Sequence, residues 1–366
     1  MNYHSIIFSQ YLGDEKLRHI VSDDALINKI LQFEMALAKA QSKLGIIPKK
    51  AADEINSKLA TLKINPQDLA EGTLQNGVPV ISILSIAKEK LSEDVKKYLH
   101  YGATSQDAMD TAQSLIIKDA IEVIEKNTDT LIKNLASLIK QSGKIACMAN
   151  TRGQQAVPIT LGVKINAWLH PLQRQIQRLH EIKQRLLVVQ LGGAVGTLST
   201  FGNKGKSLTT AVAKELKLQP VNQWHAQRDN LCEFTNWLAM LTGILGKMGA
   251  DILVMAQSEI NEVAENAAGG GKSSAMPHKN NPVLSEALVA MAKINATLQS
   301  LQLQSLVHIN ERDATAWILE WNTIPQMLIN AATSLNHALF ISKNIKINSE
   351  NMKRNVEQFF KSNPDK

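Results

Sequence analysis

Cysteine is nearly missing from this chain: 366 residues contain two, Cys147 and Cys232. Two cannot build a disulfide scaffold, and neither stands at a metal-ligand spacing, so a reducing compartment is the economical reading. Aromatic residues make up only 4%, with 10 Pro and 19 Gly. The abundance of Leu, Ala, Ile and Lys that is left leans towards helix rather than strand. Long apolar runs are lacking too. The uncharged stretch 186–203 holds four glycines among Ser, Thr and Gln, and is too polar to span a bilayer. Met1 to Leu17 includes Asp14 and Glu15 and no apolar core, so it does not read as a signal peptide. The expectation is a cytoplasmic protein that uses no membrane.

With 44% hydrophobic and 20% charged residues, the composition is that of a globular protein, long enough for two or three domains. The net charge of +7 has two readings, attraction of an anionic partner or a solvated Lys-rich surface. Basic residues are spread along the chain, with no basic run interleaved with aromatics, so no nucleic-acid partner is expected.

Several segments carry apolar residues at alternating steps of three and four. Leu231, Phe234, Leu238, Leu241, Leu245, Met248, Ile252 and Met255 form one series. Ile117, Ile121, Ile124, Thr128, Leu131, Leu135 and Leu138 form another, with one polar interruption. Sustained over three heptads, this rhythm signals a helical bundle. A third helix is marked by Leu161, Ile165, Trp168, Leu172, Ile176, Leu179 and Ile182, with a kink expected at Pro171. A fourth runs through Leu284, Leu288, Met291, Ile294, Leu298 and Leu301, opened by Pro282. Ser22 is placed to cap a helix from about Asp23 to Leu44, closed by Gly45 and Pro48. No convincing strand alternation is present. The fold class expected is all-α: an N-terminal helical domain over 1–110 and a long-helix bundle over 111–350. Apolar stripes of this length suggest a bundle shared between subunits.

Two segments break the regularity in ways that packing does not require. In His100-Tyr101-Gly102-Ala103-Thr104-Ser105-Gln106-Asp107 a titratable ring precedes two hydroxyls and an amide. A turn before a helix explains this segment equally well. The second, 269–282, has three glycines, then Lys272, Ser273, Ser274, His278, Lys279, Asn280 and Asn281, and a helix begins at Pro282. Glycines permit close backbone approach, and free N–H groups at a helix start suit a carboxylate or phosphate. Ser273 or Ser274 would serve as acid or base if desolvated beside Lys279. A flexible linker ending in a cap is the plainer alternative. Gln154 and Gln155 lie ahead of one long helix, and His225, Gln227 and Arg228 ahead of another. Arg312, between Glu311 and Asp313, suits either a surface ion pair or an anion. Gly192-Gly193-Ala194-Val195-Gly196 lacks a preceding strand, which argues against a dinucleotide site, and no histidine spacing calls for a catalytic metal.

The run Ser273-Ser274-Ala275-Met276-Pro277-His278-Lys279-Asn280-Asn281 resembles the signature of the fumarase/aspartase superfamily. His100 to Asp107 and Thr151 to Pro158 are similar to two further regions of that family, and the resemblance covers nearly the whole chain in order. Gly102 to Thr111, Trp224 to Asp229, and Glu311-Arg312 with Trp317 and Glu320-Trp321 look most like its cycloisomerase branch. Where the lyases carry Gly-Arg-Thr-His, this chain has Ala149-Asn150-Thr151-Arg152. The missing His argues against elimination of an amine. Lys272 stands where the family has Gly, and 351–366 reads as a short tail where relatives have a small helical domain.

The resemblance implies a homotetramer with active sites shared between subunits, no cofactor or metal, and a small tricarboxylate anion as substrate. It implies Ser273, Lys279 and His100 as catalytic residues. For substrate binding it implies Thr104, Ser105, Thr151, Arg152, Gln154, Gln155, His225, Gln227, Asn281 and Arg312. The competing expectations are an adenylosuccinate-type lyase and a catalytically silent binding protein on the same scaffold.

Overall fold

The structure, a computed structural model, describes residues 5–265 and 270–364. Gly269 of the glycine run lies outside them. The described residues form α1 (Glu15–Ile20), α2 (Asp23–Lys43), α3 (Lys49–Leu59), α4 (Ala70–Asn76), α5 (Val80–Glu89) and α6 (Ser105–Ser142). A hairpin of β1 (Ala146–Thr151) and β2 (Gln154–Thr160) leads to α7 (Leu161–Leu186), α8 (Gly205–Leu216) and α9 (Asp229–Met255). After β3 (Val263–Ala264) come α10 (Val283–Leu303), α11 (Ala314–Asn344), β4 (Lys346–Ile347) and α12 (Ser349–Ser362).

Local chemistry sets the helix ends. The Ser22 hydroxyl accepts from Ala25 N at 3.2 Å and starts α2. At its other end Gly45 has φ +63°. Gly45 N donates to Ser42 O and Ile46 N to Gln41 O, the paired bonds of a left-handed C-terminal cap. Thr104 and Asp107 form a reciprocal capping box on α6. Pro171 lies inside α7, which continues as one helix through it.

Two hydrophobic cores result. In the bundle core, both 3–4 series are buried throughout, from Ile117 to Leu138 on α6 and from Leu231 to Met255 on α9. Trp168 and Leu172 of α7 and Met327 and Leu335 of α11 face them. Each such side chain contributes about 1.5–3 kcal/mol when removed from water. α9 is the one described helix long and apolar enough to cross a membrane, and its apolar series lies in this core. In the second core, Phe33 and Leu37 of α2, Ile55 of α3 and Ile83 of α5 meet Met109 and Leu115 of α6. Val189, Leu191 and Leu208 join them from the segment after α7. α6, 38 residues long, enters both cores, the second from Ala108 to Leu115 and the bundle core from Ile117 onward.

The hairpin escapes the sequence reading for a physical reason. β1 buries two consecutive residues, Cys147 and Met148, and its register shifts between Met148 and Asn150. Pro158 pairs opposite Met148, so no period of two survives in the sequence. Arg152 (φ +51°) and Gly153 (φ +81°) make the two-residue turn, both left-handed as such a turn demands. α12 packs on β1, and the Asn355 amide donates to Ile260 O and Glu262 Oε1, each at 3.1 Å.

Candidate active site

The loop ahead of α6 is held by α2. His100, itself at φ +59°, places Nδ1 2.6 Å from Glu34 Oε1. Gln41 Nε2 donates to Tyr101 O at 2.7 Å. Gly102 has φ +73°, and a Cβ there would lie 2.3 Å from the Phe201 ring, so only glycine lets the loop pass. Burial alone would lower the pKa of His100. The charge and hydrogen bond of Glu34, helped by Asp107, outweigh it and raise the ring above its ordinary value.

Below this loop lies a closed polar network. The buried Asp107 carboxylate accepts from Thr104 N (3.0 Å), Gly192 N (2.8 Å) and Gly193 N (3.0 Å), and pairs with His225 Nε2 at 2.8 Å. The amides of the glycine-rich segment are therefore occupied by the protein's own carboxylate. Gln106 Nε2 donates to His225 O (2.9 Å) and Asp110 Oδ2 (3.1 Å). Asp110 receives both ends of the Arg228 guanidinium, at 2.9 and 3.0 Å. The same guanidinium gives Nε and Nη2 to Glu320, at 2.8 and 2.6 Å, and lies over the Trp224 ring. Trp317 Nε1 adds a bond to Asp110 at 3.3 Å. Burial disfavours the charged forms of Arg228 and Glu320 alike. The two carboxylates restore the charge on Arg228 and raise its pKa, whereas burial still holds Glu320 above the ordinary glutamate value.

Above the network, Arg312 Nη1 donates to Thr104 Oγ1. Ser105 occupies the first turn of α6, half-buried, and Gln227 is exposed beside the buried His225. The start of α6 thus gathers His100, Thr104, Ser105, His225 and Arg312. Of these, His225 has its ring nitrogen on Asp107 and its side chain is 1% exposed. Asp107, Asp110, Arg228 and Glu320 were not singled out as a site by sequence. Their signal was two acids three residues apart opening a helix whose other buried positions are mostly apolar.

The remaining candidates sit on two open segments. The loop before α10 is closed at its base, where Asn281 N and Nδ2 both donate to Gly271 O, at 2.8 and 3.0 Å. A Cβ on Gly271 would lie 2.0 Å from Asn281 O. Ser273 Oγ accepts from Met276 N at 3.1 Å, and Lys279 is exposed. The expected free helix start at α10 is not free. Val283 N bonds Asn281 O, and Glu265 accepts from Leu284 N and Ser285 N at 2.9 and 2.7 Å. Any anion at this loop would meet Lys279 and the hydroxyls rather than a helix terminus. Thr151, Arg152, Gln154 and Gln155 surround the turn of the hairpin, all exposed. Among the described residues, no hydrogen bond or ion pair joins either segment to His100, Thr104 or Arg312, nor do three His, Cys, Asp or Glu side chains meet as metal ligands.

Chemically, the start of α6 presents a polarised imidazole, a hydroxyl and a guanidinium, donors suited to a carboxylate. The open loop presents a hydroxyl and an ammonium, suited to moving a proton beside an anion.

Residues 12–294 match the family model described as Lyase. The chain is 38% identical over 360 residues to a 3-carboxy-cis,cis-muconate cycloisomerase of Acinetobacter baylyi, spanning 96% of this chain and 80% of that protein. To an adenylosuccinate lyase of Methanocaldococcus jannaschii it is 34% identical, over 94% and 76%. The crystal structure of the 3-carboxy-cis,cis-muconate lactonizing enzyme from Pseudomonas putida superposes with a TM-score of 0.93 at 34% identity, covering 97% of this chain and 80% of the other.

Proposed function

The chain belongs to the fumarase/aspartase family of lyases, and from that premise we propose that it closes 3-carboxy-cis,cis-muconate to 4-carboxymuconolactone. One substrate carboxylate oxygen adds to the conjugated double bond and forms the C–O bond of the lactone. The displaced electron pair moves onto the neighbouring carbon and its conjugated carboxylate, and a proton is delivered to that carbon. Nothing is oxidised or reduced, and no cofactor is needed.

Ser273 delivers the proton in the lactonising direction and removes it in reverse, with Lys279 beside it. Arg312 on Thr104, with Ser105 and His100, receives a carboxylate at the start of α6. Thr151, Arg152, Gln154, Gln155 and Asn281 complete the anion site, and His225 and Gln227 border it. Donors held ready for the developing charge contribute about 3–4 kcal/mol each.

The observation that carries this reading is Arg152 at the hairpin turn, in a chain this similar to a cycloisomerase. An amine leaving group needs a proton donor, which a permanently charged guanidinium does not provide. A carboxylate leaving group, as in lactone opening, departs without one. The adenylosuccinate-lyase reading is the second, favoured by the 34% relative of that name.

The chain acts in the cytoplasm as a homotetramer. Ile294 and Leu301, on the apolar stripe of α10, are exposed, as are Val254 and Phe340 on α9 and α11. These exposed apolar faces are the surfaces offered for contact between subunits. The test is an ultraviolet assay of purified protein with 3-carboxy-cis,cis-muconate, beside adenylosuccinate. Loss of the diene absorbance is expected. Fumarate release from adenylosuccinate without diene loss would transfer the assignment to the second reading.

A further inference from the structure

Glu34 belongs to no loop of the family signature and stands far from His100 in sequence, yet it meets that ring at 2.6 Å. Its side chain is fully buried on α2, and Oε2 has no hydrogen-bond partner. A buried carboxylate with one oxygen unsatisfied is a costly way to tether a loop. The tether is also provided elsewhere: Gln41, two turns further along α2, holds the Tyr101 carbonyl, and Phe201 packs against Gly102. Anchoring therefore does not account for an acid at this position. What a carboxylate adds is polarisation of the imidazole. With Nδ1–H donated to Glu34, the tautomer is fixed, and Nε2 makes no hydrogen bond among the described residues.

We propose that Glu34 is a positioning residue for the reaction: it orients His100 through Nδ1 and keeps Nε2–H as a charged donor to a substrate carboxylate. This rests on the cycloisomerase reading for the identity of that carboxylate, but the Glu34–His100 pair itself does not. The charged groups facing the ring are Glu34 on α2, Asp107 on α6 and Lys88 on α5. The first two favour the cation and Lys88 opposes it.

The test compares kcat and KM against pH for the full-length wild type, Glu34→Gln, Glu34→Asp and His100→Gln. Glutamine keeps the size and an oxygen for Nδ1–H while removing the charge. In the wild type, kcat/KM falls as pH rises through the raised pKa of His100. Glu34→Gln moves that alkaline limb to lower pH by about one unit or more, and Glu34→Asp restores part of the shift. His100→Gln removes the limb. A Glu34→Gln profile lowered evenly, with the limb unmoved, would overturn the proposal, because a structural role predicts that result. A wild-type limb retained in His100→Gln would overturn it as well.

A second measurement needs no turnover. His100, raised by its partner in the folded state, stabilises the fold fully below the unfolded pKa near 6.5 and ceases to do so as pH rises through the folded value. The Tm difference between wild type and His100→Gln should shrink across that window, and the same pair in a Glu34→Gln background should show no such pH dependence. Equal pH dependence in both backgrounds refutes the pairing even if neither substrate reacts, and it leaves the cycloisomerase reading to its own assay.

Discussion

At the start of α6 the buried carboxylates of Asp107 and Asp110 and the Arg228 guanidinium are all bonded by groups from distant parts of the chain, whereas the loop before α10 and the turn of the hairpin make their bonds within themselves and face outward. Asp107 alone takes four hydrogen bonds, from Thr104, Gly192, Gly193 and His225. Ser273 accepts one, from its own turn. The difference separates two tasks. A closed network with buried charges defines one geometry, since any displacement leaves a charge unpaired. In the proposed reaction, the open loop built on Gly271 and hydroxyls offers its Ser273 and Lys279 to the substrate held by a neighbouring subunit. The proposed lactonisation uses both, a fixed anion cradle and a group that moves a proton.

This contrast can be broken from either side. The largest expected effect is on turnover. Ser273→Ala should lower kcat about 10²–10⁴-fold, while stability stays within about 0.5 kcal/mol of wild type by denaturant titration. On the closed side, Arg228→Met strands Asp110 and Glu320 together in the core. It should cost about 3–5 kcal/mol in the same titration, and adding Glu320→Gln should recover part of that loss. If Arg228→Met were as stable as wild type, the network would not be the framework claimed for it. Gly271→Ala lies between the two. Its left-handed φ and the contact with Asn281 O predict local strain of about 1–3 kcal/mol. Activity should fall, and the same titration should register a loss no larger than that strain, because the outward-facing loop can relax. The smallest effect concerns the thiols. Burial pushes Cys147 up to about 11 and raises Cys232, so neither should react with a disulfide reagent at neutral pH until the protein unfolds.

The same division explains what could be read from sequence. The bundle helices were legible because the 3–4 rhythm that marks α6 and α9 is also what buries them. The cap at Ser22 is local and announces itself. The network at α6 is not local: Arg228 lies 118 residues from Asp110 and 92 from Glu320, so no spacing joins them. Glu34 was invisible for the same reason, 66 residues before His100 in an amphipathic helix. The start of α10 was read as open to an anion because Glu265, which caps it, lies 19 residues upstream of Leu284. The hairpin was missed because Pro158 and a register shift erase its alternation. The open loop stands out in the sequence because its glycines, hydroxyls and amides follow no packing period.

The central claim is that the cradle at α6 and the proton-moving loop acting on one substrate come from different chains. Mixing settles it most directly. Ser273→Ala and Arg312→Ala subunits, each inactive alone, are dissociated, combined and reassembled, and loss of the muconate diene is followed. Activity should return in the mixed oligomers, because some sites then pair an intact loop with an intact cradle. Mixed oligomers that form but stay as inactive as either parent would contradict it, and would place both halves of the site within one chain.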